Sequence, residues 1–349
     1  MLAAVALFGG SAVAVWLAGI WLSDTTDTLD RRFGFGEALG GLLILAITTN
    51  LPEIAITTGA AVSGDLGIAI GNILGGIAIQ TLVLVAIDAF GVKGRPPLTY
   101  RAASLVLVLE GALVIAVLIV AVMGHFLPSG LVVARIGPGE LLIVVIWLAG
   151  LWLINHSRDA LPWHAAGNPP DGQEVPRGHA AEMRATSTIA LGGQRVALRF
   201  LVAALVTLGA GLVLEQSGER LAAGWGLSGV VFGATLLAAS TSVPEISTGI
   251  ASARMGDYQL AVSDIFGGNA FLPVLFLWAG LISGHAVLPE ITSVDIYLTG
   301  LGILLTVVFL WGLVARPTRK IGPMGVDSAI ALALYVVGMI GFATFAGAI

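Results

Sequence analysis

Long apolar runs separated by short polar intervals set the pattern of this chain. Windows of about 20 apolar residues, the length that crosses a hydrocarbon layer, fall near residues 4 to 22, 35 to 62, 67 to 90, 102 to 123, 139 to 155, 195 to 214, 226 to 252, 258 to 282, 293 to 315 and 325 to 347. The pattern predicts an all-α polytopic membrane protein with ten transmembrane helices. A closed barrel needs short alternating strands, whereas these runs are long and continuously apolar. One polar interval is much longer than the others. Residues 156 to 193 include GNPPDGQEVPRGHAAEMRATS, rich in proline, glycine and charge, and read as a flexible linker. It separates a first unit, 1 to 155, from a second, 194 to 349.

Composition sharpens this reading. Only 11% of the 349 residues are charged and 57% are apolar, far from the roughly 25% charged of a soluble domain. The 47 glycines suit helices that approach closely where no hydrophobic force pulls them together. With no cysteine, disulfides and thiolate metal sites are excluded. No basic stripe fits a nucleic acid.

The placement of charge predicts orientation. If the loops alternate across the membrane, one side receives all the lysines and arginines except Arg135 and Arg220. By the positive-inside rule that side is cytoplasmic, so the central linker is cytoplasmic and both termini lie outside, with the inner cell membrane as the expected location. Residues 1 to 22 lack the basic leader of a signal peptide and read as a retained first helix.

The two units repeat at an offset of 192 residues. LAITTNLPEI (45 to 54) lies over LAASTSVPEI (237 to 246), and GDLGIAIGNILGGIAIQ (64 to 80) lies over GDYQLAVSDIFGGNAFL (256 to 272) without a gap. Each unit has five expected spans, an odd number, so the second inserts upside down. Two inverted five-helix repeats are an architecture of secondary transporters, with the substrate near the midplane where the halves meet.

The repeated segments place Pro52 and Pro244, each followed by a glutamate, inside apolar runs. Proline lacks the N–H and crowds the carbonyl one turn earlier, which kinks the helix and frees backbone oxygens. In lipid such oxygens are tolerated only around a protein-enclosed site. The hydroxyls of Thr49, Thr241 and Ser242, the amide of Asn50 and the carboxylates of Glu53 and Glu245 then make an all-oxygen set. Two carboxylates that meet repel unless a cation or a proton lies between them. Six to eight oxygens in flexible geometry suit calcium better than magnesium, and the histidines lie in or near loops, away from any zinc-like site. The alternative is a pair of structural glutamates bonded between helices. Duplication of a group that costs roughly 2.5 to 3.5 kcal/mol inside a membrane favours use over structure.

ITTNLPE with GNILGGIAIQ, and ASTSVPE with SDIFGGNAF, resemble the paired alpha repeats of the cation/calcium exchanger superfamily. The resemblance implies a central calcium site at Glu53 and Glu245 with Thr49 and Thr241, and neighbouring positions for the counter-ion. The family's serine after the second glycine is Gly76 and Gly268 here, its later asparagine or aspartate is Gln80 and Leu272, and Asn50 stands where the family has serine. The flanking sodium sites therefore lose ligands while the central one survives. Asp264 aligns with Asn72 and is a candidate for ion or proton coupling. Glu110 is read as facing a neighbouring helix, and Asp88 and Glu37 as reaching the interface.

These residues predict a cation antiporter that extrudes calcium in exchange for sodium or protons, with small inorganic cations and the bilayer as partners and no cofactor. The first and sixth spans are the expected moving pair. The alternative is a transport-inactive membrane sensor that binds a cation. No nucleophile and base pair, phosphate loop or haem motif points to an enzyme. Oligomeric state is not legible.

Overall fold

The computed structural model describes residues 2–33, 50–94, 96–133, 135–160, 193–227, 229–254, 256 and 258–346. The helices are α1 (Leu2–Phe33), α2 (Leu51–Ser63), α3 (Leu66–Ala86), α4 (Leu98–Ala102), α5 (Leu105–His125), α6 (Pro138–Ala160), α7 (Gly193–Trp225), α8 (Gly229–Phe232), α9 (Ala238–Thr241), α10 (Val243–Arg254), α11 (Tyr258–Phe271), α12 (Leu275–Ser283), α13 (Ser293–Ala315) and α14 (Val326–Ala346). A two-stranded antiparallel hairpin, β1 (Lys320–Ile321) and β2 (Met324–Gly325), precedes α14.

Eight stretches among the described residues are long and apolar enough to cross a membrane, and the chain is an integral membrane protein. They coincide with eight of the ten expected spans. The other two expected spans are those that carry the Pro–Glu motifs. Of the first, residues 34–49 lie outside the description, along with Glu37, and α2 forms the rest. The second is a series of pieces: α8, a π-helical turn at Gly233–Leu237, α9 and α10.

Burial separates centre from periphery. In the Leu66–Gly91 stretch 72% of residues are buried, and in Tyr258–Ser283 67%, against 22% for both Leu2–Leu22 and Arg195–Trp225. So α3 and α11 form the middle, where an all-round apolar helix belongs, and α1 and α7 lie outside it. The latter two pack along each other, α7 also on α2, and α1 also on α10. The main core joins α3, α5, α11 and α13 through Ile73, Ile77, Leu118, Phe266 and Phe309.

The prolines act at helix starts. Asn50 caps α2 with Pro52 in its first turn, and Pro244 lies in the first turn of α10. There the missing N–H removes no internal bond. In the second half the expected kink is a one-residue turn at Ser242 between α9 and α10, spanned by Ser242 N to Ala238 O at 3.1 Å and Ile246 N to Ser242 O at 3.2 Å; in the first half Ile54 N donates to Asn50 O at 3.0 Å, and what precedes Asn50 lies outside the described residues. At the far end of α2, Gly64 takes the left-handed conformation (φ +83°) that a side chain would disfavour, and Asp65 caps α3 by accepting from Ile68 N.

Asp88 corrects the sequence reading. It is fully buried rather than at the interface. Its Oδ1 accepts from Leu98 N at 2.8 Å, and its Oδ2 from Gly325 N at 2.6 Å and Ser328 Oγ at 2.7 Å. Glu140 does similar work at another junction, where its Oε1 accepts from Val287 N and Leu288 N. Asp88 thus serves a backbone donor of its own half at Leu98 and one of the other half at Gly325, and Glu140 serves two of the other half, a need that hydropathy does not register.

Candidate cation site

The starts of α2 and α10 deliver both motif glutamates to the interior. Glu53, in the first turn of α2, is 1% exposed, and Glu245, in the first turn of α10, is 5% exposed. Each sits at a helix N-terminus, whose positive end favours a negative charge. The charge of Glu53 acts on Glu245, as does that of Asp264. From the second half Thr241 lies near the Glu53 carboxylate, its hydroxyl donating to Ala238 O at 3.2 Å. From α3, Gln80 Nε2 donates to Glu53 Oε1 at 3.4 Å. The remaining oxygens, Glu53 Oε2 and Glu245 Oε2, are buried without a hydrogen-bond partner among the described residues.

The other expected residues are placed as follows. Asn50 is 1% exposed, and its amide lies beside Gly268: a Cβ at Gly268 would stand 3.3 Å from Asn50 Nδ2 and 3.7 Å from Oδ1. The amide of the first half therefore fills space that a side chain at 268 would claim. At the repeat-related Gly76 the nearest atom to such a Cβ is Ala238 Cβ at 3.9 Å. Ser242 is fully buried, but its hydroxyl donates to Ala238 O at 2.8 Å and so turns back on its own chain. Asp264 is half-buried on α11. Thr49 lies outside the described residues.

Glu110 faces α11, where Ser263 Oγ donates to its Oε1 at 3.0 Å.

Other buried polar groups surround the centre. Asn269, adjacent to Gly268, donates to Thr81 Oγ1 at 3.0 Å and leaves Oδ1 without a partner. Thr57 Oγ1, one turn after Glu53 on α2, and both amide atoms of Asn72 are buried and lack partners among the described residues. A helical threonine usually bonds the carbonyl a turn back, as Thr81 does to Ile77. The signals were present in the sequence: Thr57 follows Glu53 by four residues on one helix face, and Asn269 directly follows the glycine pair. Among the described residues no three acidic or histidine side chains come together as a metal cage. Two buried carboxylates with neighbouring amides and hydroxyls offer oxygen donors of the hard kind.

A family model described as sodium/calcium exchanger protein matches residues 3–154 and again 196–344. The inner membrane protein YrbG of Escherichia coli (strain K12) is 27% identical over 92% of this chain and 93% of its own. The putative antiporter CaxA of Alkalimonas amylolytica is 23% identical over 82% and 83%. Among solved structures, the H+/Ca2+ exchanger CAX superposes with a TM-score of 0.69 at 14% identity, covering 97% of this chain and 81% of that one. The sodium-calcium exchanger NCX_Mj superposes with a TM-score of 0.58 at 18% identity, covering 97% and 98%. These structures share the fold. With the family model covering both halves, this chain belongs to the sodium/calcium exchanger protein family.

Proposed function

We propose that this protein is a secondary active antiporter that extrudes calcium in exchange for sodium or protons. The observation that carries the reading is the burial of Glu53 and Glu245, equivalent positions 192 residues apart, each in the first turn of a helix that follows a proline. Facing buried carboxylates with an unpartnered oxygen each are unfavourable until a cation or protons neutralise them. A loaded site is then electrically fit to change sides and an empty, doubly negative one is not, which is the condition for obligatory exchange.

In this reading the ligands are Glu53, Glu245, Thr49, Thr241, Asn50 and Gln80, with Ser242 and Asp264 at the flanks. The chain forms two inverted five-helix halves, ten spans in all, joined by a cytoplasmic linker, with both termini outside. The pair α1 and α7 moves across the core that holds the ion. Uptake of radioactive calcium into proteoliposomes under separately imposed sodium and proton gradients tests the proposal, together with Glu53→Gln and Glu245→Gln. Uptake should follow one gradient and vanish in both variants. Binding without gradient-driven accumulation in the unaltered protein would make it a sensor instead.

A further inference from the structure

Asp88 has an acidic neighbour from the other half. Asp327, in the first turn of α14, is fully buried, as Asp88 is. A Cβ built on Gly325 would stand 2.5 Å from Asp327 Oδ1 and 3.2 Å from Asp88 Oδ2, so these two oxygens lie within 5.7 Å of each other. A side chain at Gly312 of α13 would likewise collide with the Asp327 carboxyl. Bare glycines thus admit both acids to one seam, where the end of α3 and α4 of the first half meet the hairpin and the start of α14.

The two carboxylates are served unequally. Asp88 accepts from Leu98 N, Gly325 N and Ser328 Oγ, three of the roughly four lone-pair sites that an ionised carboxylate offers. Donors in that number hold the charged form. Asp327 Oδ2 accepts from Thr99 Oγ1 at 2.5 Å, while its Oδ1 has no hydrogen-bond partner among the described residues. The start of α14 favours an anion at Asp327, but that anion would be buried against the first.

The positive side chains around the seam are turned elsewhere. Arg101 of α4 donates to Pro96 O, Lys93 O and Tyr258 Oη. Lys320 of β1 donates to Gly94 O, Arg254 of α10 to Phe90 O, and Arg316 after α13 lies over the Tyr100 ring. Lys93 and Arg319 are exposed. A calcium ion takes about six to eight oxygens, whereas here one oxygen is open and N–H and O–H groups crowd the rest. A proton needs only that oxygen.

We propose that Asp88 and Asp327 hold one proton between them, carried on Asp327 Oδ1, and form a titratable clasp that joins the two halves on the side expected to face the cytoplasm. While the proton is present the seam carries a single charge whose donors are matched. When it leaves, two buried anions lie side by side at Gly325 and push the hairpin off the first half. The inference rests on the geometry of the seam and goes beyond the antiporter reading, which it does not require.

Melting temperature in detergent, followed against pH for the unaltered full chain, Asp327→Asn and Asp88→Asn, tests the clasp. The folded seam keeps a proton at pH values where an exposed aspartate, which titrates near about pH 3.9, has released it. Its stability is therefore full in acid and falls as pH rises through the titration of the pair. Asp327→Asn keeps the shape and supplies a donor, so it should match the unaltered protein at neutral pH and lose most of the alkaline fall. Asp88→Asn sets an amide among three donors and should melt lower at every pH, by roughly 5 °C or more. If Asp327→Asn melts as low as Asp88→Asn, or keeps the full pH dependence, the proposal is overturned. Infrared spectroscopy of the unaltered protein gives a second reading that needs no variant to fold. Part of the C=O stretch of protonated carboxyl groups should fade over the pH span in which the melting temperature falls, and no loss of that band there overturns the clasp.

Discussion

Gly19 of α1 rests on Pro244 of the opposite half: a Cβ on Gly19 would stand 2.9 Å from Pro244 Cβ. The relationship is repeated 192 residues on. Gly211 of α7 lies on the turn that holds Pro52, with a virtual Cβ 3.2 Å from Pro52 O and 2.7 Å from Ala55 Cβ. Each outer helix thus touches the proline turn of the other half at a point that has no side chain.

If α1 and α7 travel across the core, these glycines are where travel is most easily obstructed. Gly19→Val and Gly211→Val should each slow exchange about tenfold or more, because overpacking costs about 1–3 kcal/mol. Calcium affinity should change far less. Single-turnover flux set beside equilibrium binding checks this, and parallel losses in both would refute it.

Removing one charge from the central pair should weaken calcium binding about a hundredfold, on the scale of ~3 kcal/mol for breaking a buried charged arrangement. Glu53→Gln and Glu245→Gln should have similar effects, since each carboxylate is buried and each leaves one oxygen unpartnered. Calorimetric titration with calcium measures it. A variant that binds normally removes its residue from the site.

The glycines at 76 and 268 are repeat-related but not equivalent in space. Gly76→Ser should be tolerated, since its nearest neighbour is at 3.9 Å, whereas Gly268→Ser meets the Asn50 amide at 3.3 Å. Adding Asn50→Ser to Gly268→Ser should restore part of the lost stability and binding. A double-mutant cycle with coupling below about 0.5 kcal/mol would show the two positions to be independent.

Asp88→Ala should be among the most destabilising single changes. It leaves the Leu98 and Gly325 backbone donors and the Ser328 hydroxyl without their acceptor, and each unsatisfied buried group costs about 1–3 kcal/mol. A large fall in melting temperature in detergent, with calcium affinity kept in the folded fraction, is the expected outcome.

Hydropathy made the continuous helices legible, because a buried or lipid-facing helix is apolar along its whole length. The same logic fails at the two spans that carry the Pro–Glu motifs. Residues 229 to 254 look like one apolar run, yet Pro244 and the turn at Ser242 divide them, and no average over 20 residues senses a break one residue wide. Repetition, not hydropathy, exposed Glu53 and Glu245. Glu215, buried on α7, escaped for a related reason: an expected span ending at 214 turns the next charge into loop, whereas α7 continues to Trp225. Asp88 escaped because its partners are backbone N–H groups of Leu98 and Gly325, which every sequence carries and none advertises. The fit of Asn50 beside Gly268 joins positions 218 residues apart and needs coordinates to be seen.

The extent of α7 has a bearing on the surrounding lipid. Its helix runs from Gly193 to Trp225 and carries Arg195 and Arg199 at one end and Glu215, Glu219 and Arg220 at the other. The segment between, residues 200 to 214, is about 22 Å long against a hydrocarbon thickness of about 30 Å, so the helix thins the bilayer around it or draws its charged ends toward the interfaces, and any change of lean is coupled to motion across the core. Acyl chain length should therefore tune turnover, with vesicles of short-chain and long-chain phosphatidylcholine setting different resting tilts for the same polypeptide.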